Sequence, residues 1–147
     1  MRPETLKLLQ AVATRKVQIT AQQAAEQQRR LQQATAHEVL FLQHAAKLEV
    51  RTRQWLDQDS GCPTHLLLGA QHFHKAMHTA LDLQHSTILH LQETQAIAAA
   101  TAGAAQRLQR QIMHLFTQQQ QGEASTQRQQ EQRLNDNLCT RPRVTQQ

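Results

Sequence analysis

Asp57-Gln58-Asp59-Ser60-Gly61-Cys62-Pro63-Thr64 decides how this chain folds, because it is the one dense cluster of helix breakers between the two ends. Gly61 can end a helix in the left-handed region, Pro63 cannot continue one, and Thr64 can cap the next. On either side breakers are sparse. Pro3 sits where a first helical turn tolerates it, and Arg141-Pro142 stops any helix before the C-terminus. Gly69 can delay a well-formed second helix by a turn, whereas Gly103 and Gly122 lack a neighbouring proline and read as tolerated within it. The expected organisation is a single domain: helix 3–57, hinge 58–63, helix 64–139 and a flexible tail 140–147.

Composition agrees with helices and excludes most other classes. Aromatics are 3% of the 147 residues, with no Tyr, and Gly and Pro number only 4 and 3. Strand-rich folds need many more turns than that. Ala, Leu, Gln and Arg dominate, all of them good helix formers. Gln is roughly a fifth of the chain, a bias that by composition alone suggests disorder. Here the Gln residues alternate with regularly spaced apolar ones, so a solvated helix face is the better reading.

The spacing is that of a coiled coil. Before the hinge, Leu6, Gln10, Ala13, Val17, Thr20, Ala24, Gln27, Leu31, Ala34, Glu38, Phe41, Ala45, Leu48, Thr52 and Trp55 recur in steps of three and four without a slip. After it, Ala70, Phe73, Met77, Ala80, Gln84, Leu91, Ala98, Ala105, Leu108, Ile112 and Leu115 carry the period, widened by Leu81, Ile88, Ala102 and Phe116. The stripe is thin and fades at 118–121, returning weakly at Leu134 and Leu138. A short hinge makes the helices antiparallel neighbours. The fold class expected is therefore all-α, a long two-helix antiparallel coiled-coil hairpin. At 1.5 Å per residue the helices would run about 80 and about 110 Å, with residue 3 beside residue ~119 and the second helix overhanging. Cys62 then falls at the tip and Cys139 at the far end, too distant for a disulfide, whose Cα atoms lie within ~7 Å.

The net charge of +5 is unevenly spread. Residues 1–30 hold Arg2, Lys7, Arg15, Lys16, Arg29 and Arg30 against two acids. Residues 103–147 hold Arg107, Arg110, Arg128, Arg133, Arg141 and Arg143 against three. The middle, 38–100, has more acids than bases. Folding the hairpin gathers a basic end and leaves a slightly acidic tip, which suits different partners at each end. No Lys/Arg run, stacking aromatic or zinc-finger spacing points to nucleic acid.

Catalysis and metal binding find little support. No phosphate-cradling loop, nucleophile elbow or zinc-protease motif is present, and a two-helix hairpin has no pocket that excludes water. Among nine histidines, His74 and His78 lie four apart on one face, with His85 two turns on and His72 adjoining. Structural zinc wants four ligands, and no Cys or carboxylate pair completes the set. Neither an enzyme nor a metal or other cofactor is expected. No stretch approaches the ~18 apolar residues of a membrane span, and Met1-Arg2-Pro3-Glu4 lacks a signal-peptide core, so the expected location is cytoplasmic, without membrane insertion.

Size, hinge and both ends resemble the FliJ/YscO family, the central-stalk proteins of flagellar and type III secretion export ATPases. The resemblance covers most of the chain. Glu4-Thr5-Leu6-Lys7-Leu8-Leu9 resembles the family's opening helix, and Gln32-Gln33-Ala34 leads into the spaced positions His37, Phe41, His44 and Leu48. After the hinge Phe73, Met77, Ala80 and Gln84 match a spaced Phe/Leu/Ala/polar row. Glu131-Gln132-Arg133-Leu134-Asn135-Asp136-Asn137-Leu138 resembles the closing motif, with Asn137 where the family has Glu.

What the resemblance implies is a non-enzymatic stalk in the pore of a hexameric export ATPase, linking it to the cytoplasmic domain of the export gate protein. The place implied is the cytoplasmic face of a membrane-embedded secretion apparatus, flagellar or injectisome, with secretion chaperones as further partners. Leu6, Arg15, Arg128, Arg133, Leu134, Asp136 and Leu138 would then meet the ATPase. His37, Phe41, His44, Leu48, Phe73, Met77, Ala80 and Gln84 would meet the gate. The competing expectation is a coiled-coil secretion chaperone or a general cytoplasmic adaptor, which needs the same helices but no hexameric ring.

Overall fold

The computed structural model describes residues 2–58, 61 and 63–140. Among them the chain forms two α-helices and no strand: α1, Pro3–Leu56, and α2, Thr64–Cys139. The chain is an all-α helical hairpin, as the spacing predicts. Pro3 opens α1, where its missing N–H is no loss, and Leu6 donates back to the Arg2 carbonyl.

At the reversal α1 stops one residue earlier than expected. The Asp57 amide still bonds the Arg53 carbonyl at 3.0 Å, and the Gly61 amide turns back to the Gln58 carbonyl at 3.0 Å. Gly61 has φ +77°, the left-handed conformation that the sequence reserves for it. Thr64 is the first residue of α2 rather than its cap. The Pro63 carbonyl takes the first bonds instead, from the amides of Leu66 and Leu67. Gly69 does not delay the helix, and Gly122 lies inside it. Cys62, expected at the tip, and residues 141–147 of the expected tail lie outside the described residues.

Packing divides the chain into two compact units. Unit 1 comprises residues 1–17 and 104–147. There α1 and α2 face one another through buried Leu6, Ala13 and Ala105, supported by half-buried Gln10, Gln109, Ile112 and Phe116. Gln10 Nε2 approaches Met113 Sδ at 3.0 Å, and Gln109 Nε2 donates to Thr14 Oγ1 at 3.2 Å. Pro3, Leu6, Phe116 and Gln119 border one recess, so residue 3 does lie beside residue 119.

Unit 2 comprises residues 18–103 and contains the reversal. Its buried residues are Thr20, Ala34, Ala70 and Ile88. Gln84 Nε2 donates to the Ala34 carbonyl at 2.9 Å, and His85 Nδ1 lies 3.7 Å from Glu38 Oε1. The helices run antiparallel in each unit: Gln10 meets Met113 and Thr14 meets Gln109 in unit 1, and in unit 2 Ala34 meets Gln84 while His44 and Leu48 share a groove with Phe73 and Met77.

Every α1 stripe position is buried or half-buried except Phe41, which is exposed. On α2 the phase differs from the expected one. Phe73, Leu108 and Leu115 are exposed, and their neighbours His74, Gln109 and Phe116 turn inward. The cause is geometric. An unbroken heptad on α1 needs an unbroken heptad opposite, and from Ala70 that phase runs through His74, Met77, Leu81, Gln84, Ile88 and Leu91 whatever their polarity. Threonines along both helices return their hydroxyls to the carbonyl four residues back, as Thr87 does to Leu83 and Thr101 to Ile97. They therefore need no partner across the seam.

Candidate interaction surfaces

The eight residues of the row in unit 2 fall on one edge of the helix pair. On α1, His37, Phe41, His44 and Leu48 follow steps of four, three and four, and on α2 Phe73, Met77, Ala80 and Gln84 follow the same steps. One residue of each step belongs to the seam and the other flanks it on the same side. Leu48, Met77 and Gln84 are the half-buried seam members, Ala80 is half-buried beside them, and His37, His44 and Phe73 stand exposed.

Four of the eight, His44, Leu48, Phe73 and Met77, line one groove of about 780 Å³ together with Ala46, Lys47, Val50 and Arg51. Its lining is mainly apolar, with Lys47 and Arg51 as its cations. The groove was not foreseen for a two-helix fold, but most of its lining is exposed, so it lies open to water. Lys47 and Arg51 escaped the sequence reading. Lys47 lies one turn from His44 and Arg51 one turn from Leu48, so they could have been found by extending the row outward by one position. Gln84 is less available than its place in the row suggests, because its amide is already bonded to Ala34.

In unit 1 the seven expected residues form separate groups. Leu6 is 3% exposed and belongs to the seam. Arg15 is exposed beside Thr14, at the level of Gln109. Arg128, Arg133, Leu134, Asp136 and Leu138 lie beyond Gln119, the last half-buried residue of α2, and all are exposed. Gln120 and Glu123 still border the recess at Pro3, Leu6 and Lys7, and from Ala124 to Cys139 every residue of α2 is exposed, a stretch of about 24 Å at 1.5 Å per residue. Leu134 and Leu138, four apart, share a face there. Cys139 is a free, exposed thiol at its end.

Charge separates the two units. By sequence, unit 1 holds ten Lys/Arg and four Asp/Glu, a net of +6, and unit 2 holds six and seven, a net of −1. Eight of the nine histidines lie in unit 2. They are spread over both helices, with His74 in the seam and His85 beside Glu38. Among the described residues no three His, Cys, Asp or Glu side chains stand close enough to hold a metal ion. No helix among them is long and apolar enough to cross a membrane.

The chain matches no protein-family model, no curated protein and no solved structure.

Proposed function

We propose that this protein is a non-enzymatic central stalk of a type III secretion export ATPase, injectisome or flagellar. In this reading unit 1 sits in the pore of the hexameric ATPase and unit 2 meets the cytoplasmic domain of the export gate. The observation that carries it is the partition of charge and exposure. Unit 1 has a net charge of +6 and ends in a helix exposed on every side, whereas unit 2 is near neutral and gathers His37, Phe41, His44, Leu48, Phe73, Met77, Ala80 and Gln84 along one edge. Two surfaces of unlike chemistry suit two unlike partners.

Such a role asks no chemistry of the chain. Two helices without an internal break transmit force or position, and the ring supplies the hydrolysis. The contact residues on unit 1 are then Arg15, Arg128, Arg133, Leu134, Asp136 and Leu138, with Leu6 holding the seam beneath them. Secretion chaperones would meet unit 2, where the open apolar groove lies.

The test is turnover of the cognate hexameric ATPase with and without the protein at micromolar concentration, alongside co-migration of the two. Stimulation with co-migration supports the stalk. Absence of both overturns it in favour of a coiled-coil secretion chaperone or adaptor, which binds export substrates or their chaperones without the ring.

A further inference from the structure

The face of α1 turned away from α2 in unit 2 carries a second regular stripe. Ala36, Val39, Gln43, Ala46 and Val50 recur in steps of three and four, Leu40 adjoins them, and Ala46 and Val50 also border the groove lined by Phe73 and Met77. Val39, Leu40 and Val50 are 48%, 51% and 55% exposed. With Phe41 and Leu42 this makes four consecutive apolar residues, so at this turn α1 is apolar on nearly every side. A helix with that pattern is ordinarily covered. The stripe is as apolar as the hairpin's own seam over the same turns, which offers Ala34, Glu38, Phe41, Ala45 and Leu48.

We infer that the outer face of α1 pairs with the same face of a second copy of this chain, antiparallel about Gln43. The argument is charge complementarity. Taken every seventh residue, the outermost row reads Arg29, Ala36, Gln43, Val50 and Asp57. Turned end for end about Gln43, it sets Arg29 against Asp57 of the second copy, Ala36 against Val50 and Gln43 against itself, with Leu40 against Ala46. A small side chain meets a larger one at Ala36 with Val50 and at Leu40 with Ala46, and the same turn sets Val39 against the Lys47 stem. Neither Arg29 nor Asp57 has an ion-pair partner among the described residues. A parallel pairing sets Arg29 on Arg29 and Asp57 on Asp57, a repulsion at both ends. The contact is isologous, so it closes at two copies. It uses none of the charged residues of unit 1 and does not depend on the ATPase reading.

Sedimentation of the full chain under reducing conditions, from about 1 µM to about 300 µM, brackets the affinities of modest helix contacts. The expected mass rises from 16.8 kDa toward twice that value. Leu40→Glu should weaken the dimer at least tenfold with helicity unchanged. Arg29→Glu should weaken it too, and adding Asp57→Arg in the same chain should restore it. In a Cys62→Ser/Cys139→Ser background, oxidation should link Gln43→Cys to itself. Ala36→Cys should link to Val50→Cys in a mixture but not to itself. A monomer throughout overturns the inference. So does a dimer indifferent to Leu40→Glu, or one in which Ala36→Cys links to itself as readily as Gln43→Cys does.

Discussion

The side-chain amide of Gln84 donates a 2.9 Å hydrogen bond to the main-chain carbonyl of Ala34, across the seam from α2 to α1. Ala34 itself is buried. A polar residue at a seam position commonly trades stability for a unique register. Gln84→Leu should therefore raise the melting temperature of the hairpin, since the carbonyl can keep its bond within α1. It should also loosen the alignment of the helices. Circular dichroism melts measure the first effect, and cysteine crosslinking between positions 38 and 84, compared with positions 34 and 84, measures the second. A lower melting temperature would show that the Gln84 bond is a stabilising contact and not a register device.

Ile88 is among the few large side chains that unit 2 buries, at 5% exposure, while its neighbour Leu89 is exposed. Ile88→Ala should cost about 2 kcal/mol, the low end of the range for such truncations because a two-helix seam can partly collapse. Leu89→Ala should change stability by less than about 0.5 kcal/mol. Urea titrations followed at 222 nm separate the two. Equal losses would mean that the seam phase is not the one described.

Gly61 holds φ +77° and a Cβ built there meets nothing within 4 Å. The cost of Gly61→Ala is thus a backbone cost alone, about 1 kcal/mol, and Gly61→Asn should recover part of it because Asn tolerates the left-handed region. Thermal melts of the three proteins give the ranking Gly, Asn, Ala.

Among the described residues, removing those from Gln120 onward takes away no buried side chain. The truncated protein should melt within a few degrees of the full chain, because surface changes of this kind alter stability little. Under the proposed function the same truncation should abolish stimulation of the export ATPase. A truncated chain that stimulates fully would move the ATPase contact to Arg15 and the rest of unit 1.

How much of this was legible in the sequence differs between the helices. The α1 stripe could be read residue by residue, since from Leu6 to Trp55 its polar members sit among enough apolar ones to keep the phase. The reversal was equally plain, because Gly61 and Pro63 each forbid a helix for a separate reason. On α2 the phase was misread at Phe73, Leu108 and Leu115. Each lies next to a polar or equally apolar seam residue, His74, Gln109 and Phe116, and hydrophobicity alone prefers the wrong neighbour or cannot choose. Counting strictly in sevens from Ala70 would have chosen correctly. The groove at Phe73 and Met77 was out of reach for a different reason. It depends on which residues of α1 stand opposite, and that register is fixed by contacts such as Gln84 with Ala34, not by either helix alone.

The antiparallel register has a consequence for how this molecule can change over generations. Deleting one residue from α1 between Thr20 and Trp55 rotates everything on one side of the cut by about 100° and turns its seam toward water. Deleting seven preserves the phase but leaves seven residues of α2 unmatched. Only paired excisions, seven from each arm at the same height above the reversal, leave unit 2 intact. Relatives of this protein should therefore differ in arm length by whole heptads taken twice, and a lineage that lost any other number of residues from one arm should show a compensating insertion or deletion in that same arm.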